Sequence, residues 1–195
     1  MKNNNLLELM KSKKTVFTIN DVALLWNTTN IDLIRKKIYR YFKSGKIYSI
    51  RRGIYAKDKN YDKFELAGRI YTPAYISFET VLAQAGIIFQ YYGQIFIASY
   101  LSRELTIDEQ RYEFRKLKNS ILTNLMGIEV KDNYYIASPE RALLDVIYLN
   151  KEYYFDNLTN INWDKVVEIL PVYGGNKRME SKVKKLKNEL LKGNK

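Results

Sequence analysis

Apolar positions in the first sixty residues recur at helical spacing three times, and a polar turn or a glycine closes the later two. Leu6, Leu9 and Met10 share one side of a helix and predict a short first helix ending near Ser12. The run Thr15-Val16-Phe17-Thr18 is β-prone and brief. Thr18 or Asn20 can cap a second helix over residues 20–27, with Val22, Leu25 and Trp26 on its apolar face. The polar turn Asn27-Thr28-Thr29-Asn30 leads into the longest regular pattern, residues 31–44, which Gly45 stops.

On this third helix Ile31, Ile34, Ile38, Tyr41 and Phe42 cluster within about a third of the circumference, counting ~100° per residue. Lys36, Tyr39, Arg40 and Lys43 fall on the opposite side, in line with Thr29. One stripe is built to pack and the other to meet a polyanion. Two short β-type runs follow, Ile47-Tyr48-Ile50 and Ile54-Tyr55-Ala56, with Arg51-Arg52-Gly53 between them. Gly53 supplies the permissive backbone for the turn. A short helix, a tight turn, a longer helix and a hairpin, in that order, predict a winged helix-turn-helix over residues 1–60. The candidate DNA contacts are Thr28, Thr29 and Asn30 in the turn, Lys36, Tyr39, Arg40 and Lys43 on the helix, and Arg51 and Arg52 at the hairpin tip.

Beyond residue 60 the pattern changes, and residues 61–195 are expected to form a second, mixed α/β domain. FELAGRIY reads as a short helix broken by Pro73, and Ser77 is placed to cap a helix carrying Val81, Leu82 and Ala85 inward. QIFIASY and RYEFRKLK read as strands, and IEVK and YYIA as a hairpin turning at Asp132-Asn133. Ser138 followed by Pro139 is a helix start. Residues 162–170 and 175–192 predict two final helices, the last with Met179, Val183, Leu186 and Leu190 as a docking stripe. The fold class expected is α+β. The uncharged stretch 80–102 is long enough to span a bilayer, but three glutamines and two glycines divide it into helix, turn and strand.

Composition narrows the chemistry. The chain has neither cysteine nor histidine, which removes disulfides, thiolate and imidazole metal sites, and Ser-His-Asp catalysis. No phosphate-binding glycine loop and no closely spaced aspartate pair for two-metal chemistry is present. Glu140, Arg141 and Asp145 read as surface pairing across helical turns. No catalytic residues, metal or cofactor are therefore expected. The N-terminus lacks the apolar core of a signal peptide, so a cytoplasmic protein is expected.

The formal charge of +12 is not spread evenly. Residues 33–57 hold nine basic and no acidic side chains, and residues 177–195 hold eight and two, whereas residues 58–176 carry 12 and 16. Four of the chain's ten arginines, Arg35, Arg40, Arg51 and Arg52, lie in the first block. Arginine suits bidentate contacts to phosphate and guanine. The lysine-rich last helix reads as a solvated face.

The segments RRGIYAKD, PAYISFETVLAQAGI and YYIASPERALLDVIYL resemble the AbiEi-type antitoxins of type IV (abortive infection) toxin–antitoxin systems, over about residues 5 to 150. The resemblance implies an N-terminal winged helix-turn-helix and a mixed α/β antitoxin domain. It implies binding, often cooperative, to inverted repeats in the promoter, repression of the protein's own operon, and neutralisation of a nucleotidyltransferase-type toxin without a required stable complex. Thr29, Lys36, Arg40, Arg51 and Arg52 would then contact DNA. A stand-alone winged-helix regulator with a ligand-sensing or dimerising C-terminal domain is the alternative. An enzyme or an RNA-binding module, the latter suggested by 17 tyrosines, is a third reading.

Overall fold

The computed structural model describes residues 5–193 of an α+β chain that divides into two compact units, residues 1–70 and 71–195. The first contains α1 (Asn5–Lys11), β1 (Val16–Thr18), α2 (Ile19–Leu25), α3 (Ile31–Lys43), β2 (Tyr48–Arg51), β3 (Ile54–Ala56) and α4 (Lys63–Ile70). Its three strands form an antiparallel sheet in the order β1-β3-β2. Leu9, Phe17, Val22, Trp26, Ile34, Ile38 and Ile47 form the core beneath them.

Local chemistry sets each helix end. Thr18, not Asn20, caps α2: its hydroxyl accepts the Asp21 N–H, and the Asp21 carboxylate accepts the Thr18 N–H in return. At the far end Asn27 takes a left-handed conformation, the Thr28 N–H reaches the Ala23 carbonyl, and the helix closes. Gly45 does the same for α3, with the Lys46 N–H on the Tyr41 carbonyl and the Gly45 N–H on that of Phe42. Two expected core residues depart from the pattern. Leu25 and Phe42 are 38% and 40% exposed, and at those helix ends the neighbouring Trp26 and Tyr41 pack against the core instead.

The division between units falls after Ile70 rather than near residue 60. Helix α4 belongs with the first unit because Glu65 accepts both the backbone N–H and the hydroxyl of Thr15, each at 2.8 Å. Arg69 adds an ion pair to Asp21 at 3.3 Å. The charge pattern that suggested an earlier boundary reports the solvent side of the chain, not its contacts.

The second unit is built on a six-stranded mixed sheet in the order β6-β7-β5-β4-β9-β8. Its strands are β4 (Ala74–Ile76), β5 (Gln94–Ser99), β6 (Arg103–Ile107), β7 (Gln110–Lys116), β8 (Ile128–Lys131) and β9 (Tyr134–Ala137). The helices are α5 (Phe78–Gln84), α6 (Asn119–Leu122), α7 (Pro139–Leu149), α8 (Trp163–Ile169), extended by a 3-10 turn at Leu170–Tyr173, and α9 (Lys177–Gly193). Strands β5 and β7 run parallel, as do β4 and β9, and antiparallel hairpins close both edges. The stretch 80–102 is helix, turn and strand, and no helix among the described residues is long and apolar enough to cross a membrane.

Glu140, Arg141 and Asp145 are buried, not paired on the surface. Arg141 donates to the carbonyls of Met126 (2.9 Å) and Ile121 (2.7 Å) and to the Tyr75 hydroxyl (3.1 Å). Asp145 accepts from Tyr75 (3.0 Å), Ser77 (2.7 Å) and Tyr173 (2.6 Å). Ser77 thus makes no side-chain cap for α5, because its hydroxyl is committed to Asp145. Met179, Val183 and Leu186 on α9 are buried as the stripe required, and Arg178 bonds the last carbonyls of α7.

Candidate nucleic-acid interface

Helix α3 presents the candidate surface. Ile34 and Ile38 are fully buried, while Lys36, Tyr39, Arg40 and Lys43 on the other side are exposed. The helix begins at Asn30, whose carboxamide oxygen accepts the Leu33 N–H at 2.9 Å. The Thr28 hydroxyl accepts the Asn30 N–H at 3.3 Å and is half-buried. Thr28 and Asn30 are therefore engaged in the turn, and of the three candidate turn residues Thr29 is the one whose exposed side chain makes no hydrogen bond among the described residues. The Lys43 ammonium rests 5.6 Å from the Tyr39 ring centroid, so these two neighbours share an edge of the face.

The hairpin after α3 carries a feature the pattern of residues did not announce. Tyr48 pairs with Ala56 and Ser49 with Tyr55, but Arg51, not Ile50, pairs with Ile54. Ile50 is the extra residue of a β-bulge, which increases the twist of β2 just before its tip. Arg52 and Gly53 form the two-residue turn, Gly53 at φ +83°, and both arginines are exposed.

Of the nine cations in residues 33–57, four are already held. Arg35 pairs with Asp32 at 3.4 Å, Lys37 donates to the Asn5 side chain, Lys57 donates to the Ser12 carbonyl and Lys43 lies over Tyr39. Lys36, Arg40, Lys46, Arg51 and Arg52 form no ion pair among the described residues, and all five are exposed. Lys46 was not among the sequence candidates. It stands just past the glycine that ends α3.

Behind this surface the frame is stiffened by buried charge. Burial alone would raise the Asp21 carboxyl, but the Lys14 ammonium, the Thr18 hydroxyl and N–H and the Arg69 guanidinium outweigh it and hold the group below its ordinary value. Glu65 goes the other way: burial raises it despite its bonds to Thr15 and the nearby Arg69. Among the described residues no cluster of three or more acidic side chains is arranged to hold a metal ion. The Arg141–Asp145 network of the second unit is sealed from solvent, and all its hydrogen bonds run to the unit's own tyrosines, Ser77 and backbone carbonyls, which marks it as framework; the Arg141 Nε has only its ion pair with Asp145.

Neither the protein-family models nor the curated proteins compared with this sequence give a match.

Proposed function

We propose that the protein is a DNA-binding antitoxin that represses its own toxin–antitoxin operon and counteracts a nucleotidyltransferase-type toxin. In this reading the first unit is a winged helix-turn-helix. Helix α3 enters the major groove with Thr29, Lys36, Tyr39, Arg40 and Lys43, and the β2–β3 hairpin lies along the backbone with Arg51 and Arg52 on phosphates. One observation carries the DNA half: five exposed cations without ion-pair partners among the described residues follow one another along α3 and its hairpin, on an element whose other face is core. The antitoxin half rests on the resemblance of the segments RRGIYAKD, PAYISFETVLAQAGI and YYIASPERALLDVIYL, and promoter inverted repeats are the site it implies.

The test has two arms. Binding of the full chain to duplex DNA from its own upstream region is measured by anisotropy across a salt series. Log affinity should fall linearly with log salt, with a slope set by the number of phosphates neutralised. The adjacent reading frame is then expressed with and without this chain. Toxicity relieved by the chain supports the antitoxin reading, and an inert neighbour removes it.

The regulator reading is favoured by one feature of the second unit. Val130 and Tyr135 pair across the β8–β9 edge hairpin and are 70% and 48% exposed, an apolar pair that self-association would cover. Operator binding with an inert neighbouring gene would select it.

A further inference from the structure

Leucine has no electrostatic reason to stand exposed at the edge of a cationic stripe, yet Leu33 does. It lies in the first turn of α3 and is 41% exposed. At ~100° per residue it falls about 20° from Arg40 and about 60° from Lys36 on one side, and about 40° from Lys37 on the other. Its neighbours one turn away are thus polar or cationic, and a purely apolar contact with another protein would have to strip water from them. Beside it, Asp32 is paired with Arg35, so the first turn does not turn a free carboxylate toward phosphates.

The major groove offers one apolar group on its floor, the C5-methyl of thymine. Residues in the first turn of a recognition helix are those that meet base edges. We infer that Leu33 reads a thymine methyl and is a specificity-determining residue of the DNA site. The inference rests on the DNA-binding reading above. It divides the labour on α3: Arg40 and Lys36 supply charge and hydrogen bonds, and Leu33 supplies discrimination that salt does not screen.

The experiment uses the full chain and a duplex enriched from a random pool. Each thymine of that duplex is replaced in turn by deoxyuridine, which removes the methyl and nothing else, and relative affinities are read by competition. At one or more thymines the loss should be roughly three- to fivefold, the effect of exposing one buried methyl-sized group. Leu33→Ala should bind the thymine and uracil duplexes equally at that position, while Leu125→Ala, at an exposed leucine of the second unit, should keep the preference. If no uracil replacement weakens wild-type binding by more than about twofold, or Leu33→Ala keeps the preference, the inference is overturned. A chain that binds duplex DNA with salt dependence but ignores methyls sinks this inference alone. A pool with no enriched duplex sinks the DNA reading and the inference with it.

Discussion

Asp145 follows Arg141 by one helical turn on α7, and the Arg141 Nε stands 3.5 Å from Asp145 Oδ1 with both side chains wholly buried. Burial opposes the arginine's charge, yet Tyr173, Asp145 and Tyr75 more than restore it. Removing one partner leaves the other as an uncompensated charge in the core. Arg141→Ala or Asp145→Ala should each cost about 3–5 kcal/mol. Urea denaturation gives the value, and a loss below about 1 kcal/mol would show the pair to be dispensable. Arg141→Met should not rescue, since it fills the space but leaves Asp145 without its cation.

Gly127 sits against the same arginine. Its φ is +72°, and a Cβ there would stand 2.7 Å from Ile169 Cδ1 and 3.0 Å from Arg141 Cβ. The isoleucine tip can move, but the arginine Cβ is fixed by its helix. Gly127→Ala should therefore cost more than the ~1–2 kcal/mol of the left-handed backbone alone. Gly53→Ala is the control: φ is +83° but the space is open, so only the backbone cost applies. Equal losses in thermal denaturation would refute the crowding argument.

The elements with strong local signals were legible in the sequence. Ser138-Pro139 started a helix, Gly45 ended one, and the Ile34/Ile38 stripe faced the core. What escaped were elements whose reasons are distant. Strand β6 is an edge strand carrying Arg103 and Glu104, and its turn to β7 uses Asp108 and Glu109 at positive φ instead of the asparagine and glycine that advertise such turns. The three residues of β4 are strand because β5 and β9 flank them. The buried role of Arg141 depends on tyrosines at positions 75 and 173, far away in the chain. At the candidate interface the cationic stripe was readable by helical arithmetic, but the exposed Leu33 at its edge was not picked out. The bulge at Ile50 was not, because register belongs to the pair of strands and not to either one.

Asp21 and Glu65 predict opposite responses to acid in the first unit. Asp21 is depressed in the folded chain: burial raises it, but Lys14, Thr18 and Arg69 prevail. Its contribution is complete above the unfolded value, about 3.9, and is lost as pH falls through the folded one. Glu65 is raised by burial, so protonation favours the folded state, and this contribution fades as pH rises through its folded value. Asp21→Asn should flatten the loss of stability below about pH 4, while Glu65→Gln should remove a gain in stability that develops above that range, as pH falls through the folded Glu65 value toward the unfolded one, about 4.3. Trp163→Phe leaves Trp26 as the sole tryptophan, so fluorescence-detected unfolding reports the first unit alone. Matching pH profiles for the two variants would contradict the assignment.

Arg51 and Arg52 should contribute affinity without sequence preference, and Arg40 the reverse. The hairpin arginines are exposed, unpaired among the described residues, and carried on a two-residue turn, a geometry that reaches phosphates more readily than base edges. Every phosphate that is no longer neutralised should reduce the salt slope by about 0.9. Arg51→Ala/Arg52→Ala should therefore weaken binding to specific and unrelated duplexes alike, and lower the slope by about two. Arg40→Ala removes a side chain from the groove face of α3 and should cost ~1–3 kcal/mol against the preferred duplex, with a smaller effect on unrelated DNA. Anisotropy titrations at several salt concentrations on both duplexes separate the two patterns. If the double variant keeps the full salt slope, the hairpin does not lie on the backbone. If Arg40→Ala weakens both duplexes equally, α3 does not read bases through that residue.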